Sequence, residues 1–492
     1  MRFIPPALLA LVLLSSCLSS FAPAQYAGAE IVPDAVRRGF ASIKEEDCRS
    51  WLSVLAGDEF EGRGTGSPGY QKAADFMAAK FKSFGLKPGG EKGSWFQQVP
   101  FKRARLLTES SFCVLPDGRT RLTAGRDVTF FPAEAELEAP VVFLHARGVK
   151  ARLKERKAIR GKIVIAFGVA DTNRQLRFRL AARGVALLRV VEKVTPPRLE
   201  PVRRGSRRIV GEITIAAARR LAEALGVPEA VQDPGVAENE VKVIPGGDGK
   251  LKIRVESEIK SIGVPNVVAM LPGSDPELRH EFVVIGSHLD HLGKRGGTIF
   301  YGADDDGSGS TALLSVARAF ARNGKAPRRS ILFLAFCGEE LGLVGSRYYT
   351  DHPLHPLENV VCELQLDMVG RNEENKRRGE RPEENVMTTH LIGSKRLSTE
   401  LHDLIIDQNR YVGFTFEYDE EDVYTRSDHY MFARKGIPVA FFFSGFHPDY
   451  HRPTDTVDKI NFEKLANHAR LVFLVAHAAA DRKQRLTVDK KR

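Results

Sequence analysis

The sequence is poor in tryptophan and cysteine, and beyond its N-terminal region it has no long hydrophobic run. Its 492 residues include two Trp and five Cys, too few cysteines for a scaffold built on disulfides. Cys337 and Cys362 fall in predicted core strands, which favours buried free thiols. A membrane-spanning helix needs about 20 consecutive apolar residues, and no later segment supplies them. No internal repeat is present. These absences predict a soluble globular body.

The formal charge of +11 raises the question of a nucleic-acid partner. The basic residues crowd between Arg147 and Arg208, in clusters such as KARLKERKAIRGK and PVRRGSRR. No aromatic residue interleaves these clusters, and no recognition-helix pattern accompanies them. We therefore expect no nucleic-acid partner. A solvated basic face is favoured, and electrostatic adherence to an anionic membrane or cell wall is the intermediate interpretation.

Residues 1–17 have the pattern of a secretory signal. Arg2 precedes the apolar run Ala7–Leu14, which is too short to cross a membrane. Leu14-Ser15-Ser16-Cys17 resembles a bacterial lipobox, in which the cysteine is lipidated and becomes the mature N-terminus. Cleavage after Ala22-Pro23-Ala24 is the alternative. The sequence predicts an exported protein, either a periplasmic or cell-surface lipoprotein attached to a membrane through its lipidated cysteine or a secreted protein.

In the middle of the chain, short apolar runs alternate with turns that carry acidic residues or histidine. The runs Val283–Ile285, Ile331–Phe336 and Val360–Leu366 are typical of buried strands in an α/β sheet. Histidines and carboxylates follow them in the blocks SHLDH, GADDDGSG, GEELG and LDMVG. Ligand sites in open α/β sheets lie at the carboxyl ends of strands. This pattern indicates a divalent metal site, for which zinc is the best match.

The length of the chain exceeds one ordinary hydrophobic core, so several domains are expected. Between 106 and 261 the strands become short and are punctuated by glycine and basic residues, which indicates an inserted, mainly β domain. The predicted order is a signal segment at 1–17, a tether at 18–44, a first catalytic part at 45–105, the insertion at 106–261, a second catalytic part at 262–485 and a tail at 486–492.

Five blocks, SHLDH, GADDDGSG, GEELG, LDMVG and DYHRPTD, resemble a zinc metallopeptidase family in their order and spacing. This family contains the bacterial secreted aminopeptidases, glutamate carboxypeptidase and the transferrin receptor. Glutaminyl cyclases, which use a single zinc, resemble the chain less closely. The resemblance covers residues 45–105 and 262–485. It implies a three-layer α/β/α fold with a central mixed, mostly parallel sheet, and the insertion resembles a protease-associated domain.

The resemblance implies two zinc ions per chain. One ion would be held by His288, Asp305 and Asp367, and the other by Asp305, Glu340 and His451. Three protein ligands per ion leave an open position, as catalytic zinc requires. A shared carboxylate can hold two ions about 3.5–4 Å apart.

The same resemblance assigns the reacting groups. Glu339 matches the general base, and Tyr450 matches a tyrosine near the substrate oxygen. Asp290, two residues past His288, is expected to accept a hydrogen bond from the other ring nitrogen of that histidine. The implied reaction is attack of zinc-bound water on a peptide carbonyl, with Glu339 passing a proton to the leaving amine.

Other polar residues near these blocks are expected to have supporting roles. Asp304 and Asp306 are interpreted as caps of the turn that enters the next helix. The histidines outside the ligand set are interpreted as rim or structural groups, namely His291, His429 and His447.

Removal of N-terminal residues from peptides or proteins is the favoured activity, and two alternatives stay open. A carboxypeptidase of the same fold would need arginine to hold a substrate carboxylate, for which Arg347 and Arg371 are candidates. A non-catalytic receptor-like or binding protein would have broken ligand positions, and none is broken. The oligomeric state is not predicted.

Overall fold

The structure is a computed structural model that describes most of the chain. The predicted signal segment, with Cys17, and the first part of the predicted tether lie outside the described residues. The chain divides into two compact units: unit 1 contains the residues up to Val99 and from Val264 onwards, and unit 2 is Pro100–Gly263. The described residues are 29–148, 150–154, 157–169, 174–195, 199–201, 209–295, 297–374, 379, 381–418 and 423–490.

Several helices in the described residues begin at side-chain caps that the sequence supplies. The Ser67 side chain accepts a hydrogen bond from the Tyr70 amide, and Asn461 caps the last helix in the same way. The helices are α1 (Asp34–Ser42), α2 (Glu45–Leu55), α3 (Pro68–Ser83), α4 (Arg174–Arg183), α5 (Ile215–Ala224), α6 (Gly309–Arg322), α7 (Val344–Asp351), α8 (Ser394–Leu397), α9 (Thr399–Asn409), α10 (His429–Ala433) and α11 (Phe462–Asp481).

From α6 onwards the strands and helices of the described residues largely alternate, whereas several strands follow one another between α3 and α4. The strands are β1 (Lys87–Pro88), β2 (Phe96–Leu106), β3 (Phe112–Val114), β4 (Arg121–Thr123), β5 (Val128–Phe130), β6 (Ala135–Ala146), β7 (Ile163–Phe167), β8 (Ala186–Val191), β9 (Leu199–Pro201), β10 (Ile209–Thr214), β11 (Val241–Val255), β12 (Ser257–Leu271), β13 (Phe282–His288), β14 (Gly293–Arg295), β15 (Thr298–Phe300), β16 (Ser330–Phe336), β17 (Val360–Leu366), β18 (Thr388–Ile392), β19 (Thr415–Glu417) and β20 (Val439–Phe443).

Unit 1 contains a mixed sheet in the order β19-β18-β20-β17-β13-β16-β12. The four central strands, β20, β17, β13 and β16, are parallel. β18 runs antiparallel to β20, and β12 runs antiparallel to β16. The predicted mixed, mostly parallel sheet is therefore confirmed, and the carboxyl ends of the four parallel strands share one edge.

Helices cover both faces of this sheet. Leu334 of β16 packs with Phe432 of α10 in one buried cluster. Phe333, its neighbour in the strand, lies on the other side, with ring centroids 6.1 Å from Phe81 of α3 and 6.1 Å from Phe320 of α6. Successive side chains of a strand point to opposite faces, so an uninterrupted apolar run supplies both layers. The predicted three-layer arrangement is confirmed.

The predicted tether at 18–44 is wrong for its last residues, because α1 packs into unit 1. Val36 and Phe40 are buried. The Gly39 amide donates to the Asn323 side chain at 3.0 Å, and a Cβ at Gly39 would lie 2.4 Å from the Phe473 ring. Apolar residues spaced four apart bury one stripe of a helix. This pattern is too short to predict a packed helix in a largely polar segment.

Unit 2 is built on an eight-stranded sheet in the order β4-β3-β11-β6-β7-β8-β10-β5. Strands β6, β7, β8 and β10 are parallel to one another. The segment at 245–250 is an irregularity within β11, where the register against β6 shifts between Pro245 and Lys250. The predicted insertion at 106–261 lies inside unit 2, and its likeness to a protease-associated domain stays a prediction.

The cysteines of the described residues are free and buried, as predicted for Cys337 and Cys362. Burial raises the pKa of the Cys362 thiol, so this group is an inert part of the core. In the described part of the chain, no helix combines the length and the apolar character that crossing a membrane requires.

The buried ring of His468 in α11 leads us to predict that unit 1 loses stability in acid. In this ring, Nδ1 lies 3.0 Å from the carbonyl oxygen of Lys464 and Nε2 lies 2.8 Å from the Thr389 hydroxyl. Burial, assisted by the charge of Lys464, lowers the pKa of His468 to about 3. In the unfolded chain histidine titrates near about 6.5. Protons therefore favour the unfolded state as the pH falls below that value, by up to about 1.4 kcal/mol per pH unit.

Urea denaturation of the metal-free chain, followed by tryptophan fluorescence from about pH 6.5 to about pH 4, measures this effect. The signal reports on unit 1 because Trp51 and Trp95 both lie there. His468→Gln should flatten the loss of unfolding free energy with acidity, while replacing the exposed His280 by Gln should not. An identical slope in wild type and His468→Gln would contradict the prediction.

Candidate metal centre

The residues predicted to bind metal meet at one edge of the sheet in unit 1. Three of the parallel strands end there, because β13, β16 and β17 share a direction. Each of these strands carries predicted site residues at or just after its last residue, and two loops carry the other predicted site residues. The positions are His288 at the end of β13, Glu339 and Glu340 after β16, Asp367 after β17, Asp305 in the turn before α6, and His451 in the loop after β20.

His288, Asp305 and Asp367 form the first ligand set. His288 Nε2 lies 3.3 Å from Asp305 Oδ1 and 3.5 Å from Asp367 Oδ1. All three residues are buried. A tetrahedral zinc ion with bonds of about 2.0–2.2 Å separates its ligand atoms by about 3.3–3.6 Å. The observed separations match that geometry.

Asp305, Glu340 and His451 form the second ligand set. His451 Nε2 lies 3.1 Å from Asp305 Oδ2 and 3.3 Å from Glu340 Oε1. Asp305 thus directs Oδ1 to the first set and Oδ2 to the second. One carboxylate joins the two sets, which is the arrangement that a pair of neighbouring cations requires.

His291 joins the second set, although the sequence predicted a rim or structural role. Its Nδ1 lies 2.8 Å from Glu340 Oε1 and 3.7 Å from Asp305 Oδ2. The backbone amide of His291 donates to the carbonyl oxygen of Arg63 at 3.1 Å, which fixes the turn after β13. The available signal was a second histidine three residues past His288, where the strand ends.

Several polar atoms of the second set are buried without an aligned hydrogen bond among the described residues. They are both ring nitrogens of His291, Asp305 Oδ2 and Glu340 Oε1. Buried polar atoms are normally paired, and these approach one another closely without the alignment of a hydrogen bond. Their lone pairs converge as they would on a cation. Imidazole and carboxylate ligands suit zinc, so the residues present fit that ion.

The electrostatics of the metal-free site favour ionised carboxylates beside protonated imidazole. Burial would raise the pKa of Asp305, but the surrounding histidines hold it well below its ordinary value. Burial would lower the pKa of His451, but the adjacent carboxylates of Asp305 and Glu340 raise it to about 9. Metal ligands bind in their deprotonated forms, so metal binding must release protons here.

Glu339 lies beside the first set and is held differently from Glu340. Its Oε2 is 3.9 Å from His288 Nε2, and its backbone amide donates to Asp290 Oδ1 at 3.1 Å. Burial raises the pKa of Glu339 well above its ordinary value, and the nearby Asp367 adds to the shift. A carboxylate with a raised pKa can both accept and return a proton near neutral pH.

The prediction that the Asp290 carboxylate supports His288 is wrong, because Asp290 contacts this histidine through its backbone carbonyl group. His288 Nδ1 lies 2.9 Å from the carbonyl oxygen of Asp290, whereas the nearer carboxylate oxygen is 4.0 Å away. The chain turns after β13, so the Asp290 carbonyl oxygen faces the His288 ring while the Asp290 side chain points away from it. The carboxylate accepts hydrogen bonds from Thr65 Oγ1 at 2.6 Å and from the Glu339 amide.

Asp306 caps the turn that enters α6, as expected, because it accepts a hydrogen bond from the Gly309 amide at 2.8 Å, whereas the amide that the Asp304 carboxylate binds lies outside that turn. Asp306 accepts hydrogen bonds from the amides of His288 and Met368, both at 3.1 Å. Asp304 Oδ1 accepts from the Gly370 amide at 2.7 Å. These bonds tie the end of β13 and the segment after β17 to the turn that carries the bridging carboxylate.

Asp455 clamps the same turn from the other side. Its carboxylate accepts hydrogen bonds from the amides of Asp304 at 3.0 Å and Asp305 at 3.2 Å. His447 Nε2 lies 3.3 Å from Asp304 Oδ2, so this histidine stands behind the ligand sets. His429 instead stacks on the Phe441 ring with centroids 4.8 Å apart, which is a structural role.

Nothing in the sequence pattern singles out Arg63, which organises the backbone beneath the centre. Its side chain is fully buried. It donates to the carbonyl oxygens of Leu55, Leu289 and Tyr301 at 2.9 Å each and of Gly302 at 2.7 Å. An isolated buried guanidinium is costly, but here carbonyls satisfy it, and three separate segments are held around it.

Ser427 orients the first ligand set and generates a prediction about metal affinity. Its hydroxyl donates to Asp367 Oδ2 at 2.7 Å, and Gln365 Nε2 donates to the Ser427 oxygen at 3.2 Å. Loss of such an outer partner costs about 10–100-fold in metal affinity. Ser427→Ala should therefore weaken zinc binding by about that factor, measured by competition with a chelator. Ser83→Ala, on an exposed helix end, is the control, and equal affinity in the two variants would contradict the prediction.

Comparison with known proteins agrees with this geometry. Residues 266–476 match peptidase family M28. A probable leucine aminopeptidase of Arthroderma otae is 30% identical over 225 residues, which cover 44% of this chain and 58% of that protein. Leupeptin-inactivating enzyme 1 of Streptomyces exfoliatus is 33% identical over 185 residues, covering 37% and 36%. The match thus spans little more than half of the first relative and about a third of the second.

Solved structures share the fold over most of their length. The aminopeptidase from Aneurinibacillus sp. strain AM-1 has a TM-score of 0.56 and 21% identity, covering 94% of this chain and 99% of its own. The zinc aminopeptidase BSAP from Bacillus subtilis has a TM-score of 0.56 and 20% identity, covering 91% and 99%. The segment at 266–476 that matches peptidase family M28 contains both ligand sets.

Proposed function

We propose that the chain is a zinc-dependent aminopeptidase that holds two Zn²⁺ ions and removes N-terminal residues from peptides. The observation that carries the proposal is the two-sided contact of Asp305, 3.3 Å from His288 and 3.1 Å from His451. Glu339 stands beside the first set, where a base is needed. The relatives named as leucine aminopeptidases support the same activity.

His288, Asp305 and Asp367 would hold one ion, and Asp305, Glu340 and His451 the other, with His291 next to the second. Zinc, when bound, would polarise the scissile carbonyl and lower the pKa of the attacking water. Side chains of the protein transfer the proton and bind the substrate oxygen.

Glu339 acts as the general base. It takes a proton from the attacking water as the bond between the water oxygen and the carbonyl carbon forms. It returns the proton to the nitrogen as the carbon–nitrogen bond breaks, so the products are a free amino acid and a shortened peptide. Burial raises the pKa of Glu339, which opposes the lowering that neighbouring cations cause and favours the return of the proton.

Tyr450 is placed to donate a hydrogen bond to the substrate oxygen. Its hydroxyl accepts from Arg426 at 3.1 Å, so its own proton is available to a ligand. Its ring stacks on His451, with centroids 3.9 Å apart. Burial raises the pKa of Tyr450 and keeps the phenol protonated. A fixed donor beside developing negative charge stabilises the transition state.

A cavity over the first ligand set favours an apolar N-terminal side chain. Its lining combines the metal centre with Glu339, the polar residues Arg426, Ser427 and Tyr450, and a group of apolar residues. Burying an apolar side chain there is favourable because it leaves water. The apolar lining residues are Met368, Val423, Phe441, Phe443 and Phe446.

The alternatives have less support in the site. The two arginines considered for a carboxypeptidase do not line the cavity. Arg371 is paired with Asp449 at 3.1 Å, and Arg347 donates to the Gly342 carbonyl oxygen. A receptor-like protein would not need a complete ligand set with its base. Export, with or without lipidation of Cys17, remains part of the proposal.

Glu339→Gln is the first test of this mechanism. The variant keeps the shape of the side chain but cannot take up the proton, so kcat/KM should fall by about 10²–10⁴-fold. Zinc content, measured by elemental mass spectrometry, should stay at the wild-type value. Glu340→Gln is the informative comparison because it should lose zinc together with activity. Activity near wild type in Glu339→Gln would rule out its role as the base.

A substrate panel tests the direction of cleavage and the side-chain preference. Leucine and phenylalanine p-nitroanilides should be hydrolysed faster than the aspartate and lysine derivatives, because the cavity wall is apolar. N-acetylation should abolish cleavage, since an aminopeptidase requires a free amino terminus. Release of C-terminal residues from N-acetylated peptides would contradict the proposal and would favour a carboxypeptidase that uses Arg426, the arginine that lines the cavity.

A further inference from the structure

A second group of metal-ligating side chains lies in unit 1, outside the centre described above. It consists of Glu373, His390 and Glu417, which each offer one ligand atom within 4.8 Å of the other two. His390 Nε2 lies 2.9 Å from Glu373 Oε2 and 3.6 Å from Glu417 Oε2. None of the three belongs to either ligand set of the centre. The group therefore needs its own explanation.

Strand register brings these residues together. His390 in β18 is the direct partner of Glu417 in the parallel strand β19, so the two side chains can meet across the strands. Glu373 arrives from the loop after β17. Its side chain packs against Gly445, where a Cβ would lie 2.5 Å from the Glu373 carboxyl carbon. The glycine leaves the space that the carboxylate occupies, and its φ of +92° also favours glycine.

The charges of this group are poorly balanced by protein cations. Glu373 is 5% exposed and His390 is 2% exposed, so water screens them weakly, whereas the Glu417 side chain is 38% exposed and reaches solvent. A proton on His390 Nε2 can be donated to Glu373, but Glu417 Oε2 lies beyond hydrogen-bond distance of that nitrogen. Buried carboxylates are costly unless they are paired or bind a metal.

Lys464 is the nearby buried ammonium, and it does not fill this role. Its Nζ donates to the carbonyl oxygen of Asn385 at 2.8 Å. In the part of the chain that the structure describes, the imidazole of His390 is the one basic side chain within 4.0 Å of the Glu373 and Glu417 carboxylates. Two carboxylates therefore share a single ionisable partner, and a divalent cation would neutralise both.

We propose that Glu373, His390 and Glu417 bind one divalent transition-metal ion of the zinc class. One imidazole and two carboxylates form a donor set that zinc accepts, and tetrahedral coordination places ligand atoms about 3.3–3.6 Å apart. The observed 2.9 and 3.6 Å lie near that range. The centre around Asp305 shows a similar spread, from 2.8 to 3.7 Å around His291.

The ion has a structural role in this proposal. Glu374, next to Glu373, donates its amide to the carbonyl oxygen of Phe446 at 3.1 Å. An ion held by Glu373 would thus brace the loop after Asp367 and the loop that leads to His451 against β18 and β19. It would stabilise the walls of the centre without touching substrate.

Zinc counting on the full chain tests the proposal. The purified protein is freed of metal, saturated with Zn²⁺, passed through a desalting column and analysed by elemental mass spectrometry. Glu417→Gln should bind one equivalent less than wild type. Glu358→Gln removes an exposed carboxylate of the same unit and should bind as many ions as wild type. The comparison does not depend on the number of ions at the catalytic centre. If that centre holds fewer or more than two ions, the zinc content of wild type and of both variants shifts by the same amount.

Anomalous X-ray scattering provides a second measurement that needs no variant. Wild-type crystals soaked in Zn²⁺ and measured above the zinc absorption edge should show a peak about 2.0–2.2 Å from Glu373, His390 and Glu417. Equal zinc content in wild type and Glu417→Gln overturns the proposal. Absence of the peak in soaked crystals overturns it as well, and it decides the question if Glu417→Gln does not fold.

Discussion

The burial of many carboxylates around Asp305 is the constraint on which this structure depends. Asp305 is 3% exposed, and Asp304 and Asp306 beside it are fully buried. Like charges at such a place repel one another and lose their hydration. The chain offsets this cost with imidazoles on one side and backbone amides on the other. A site that is balanced in this way is suited to binding cations.

The support around the centre is made mainly of backbone groups and not of side-chain pairs. Asp306 and Asp455 bind amides, Asp290 presents a carbonyl oxygen to His288, and Arg63 binds four carbonyl oxygens. Backbone groups are fixed in place by the strands and turns that contain them. The ligand atoms can therefore keep their separations while the ligand sets are metal-free, which is the basis of preorganisation in metal sites.

Motifs at strand ends were predictable from the sequence, and contacts that depend on register or on chain direction were not. His288, Glu340 and Asp367 follow apolar runs, and the edge of a parallel sheet brings such positions together. The group at Glu373, His390 and Glu417 depends on a strand pairing that no local pattern specifies. The same applies to Arg63, whose carbonyl partners are spread over more than two hundred residues. The packing of α1 was missed because a nine-residue helix carries only a short apolar stripe.

The hydrogen bonds of Asp455 to the turn before α6 have a consequence for how folding relates to metal binding. The bond from Asp455 to the Asp304 amide joins positions 151 residues apart in sequence, and closing so long a loop is entropically costly. The bond uses only groups of the chain, so folding itself can offset this cost without a bound ion. The loop that carries His451 then already stands near its partner, so an incoming ion has only to shed its hydration shell and displace protons. Uptake from dilute solution is correspondingly a local event, in which distant parts of the polypeptide need not move.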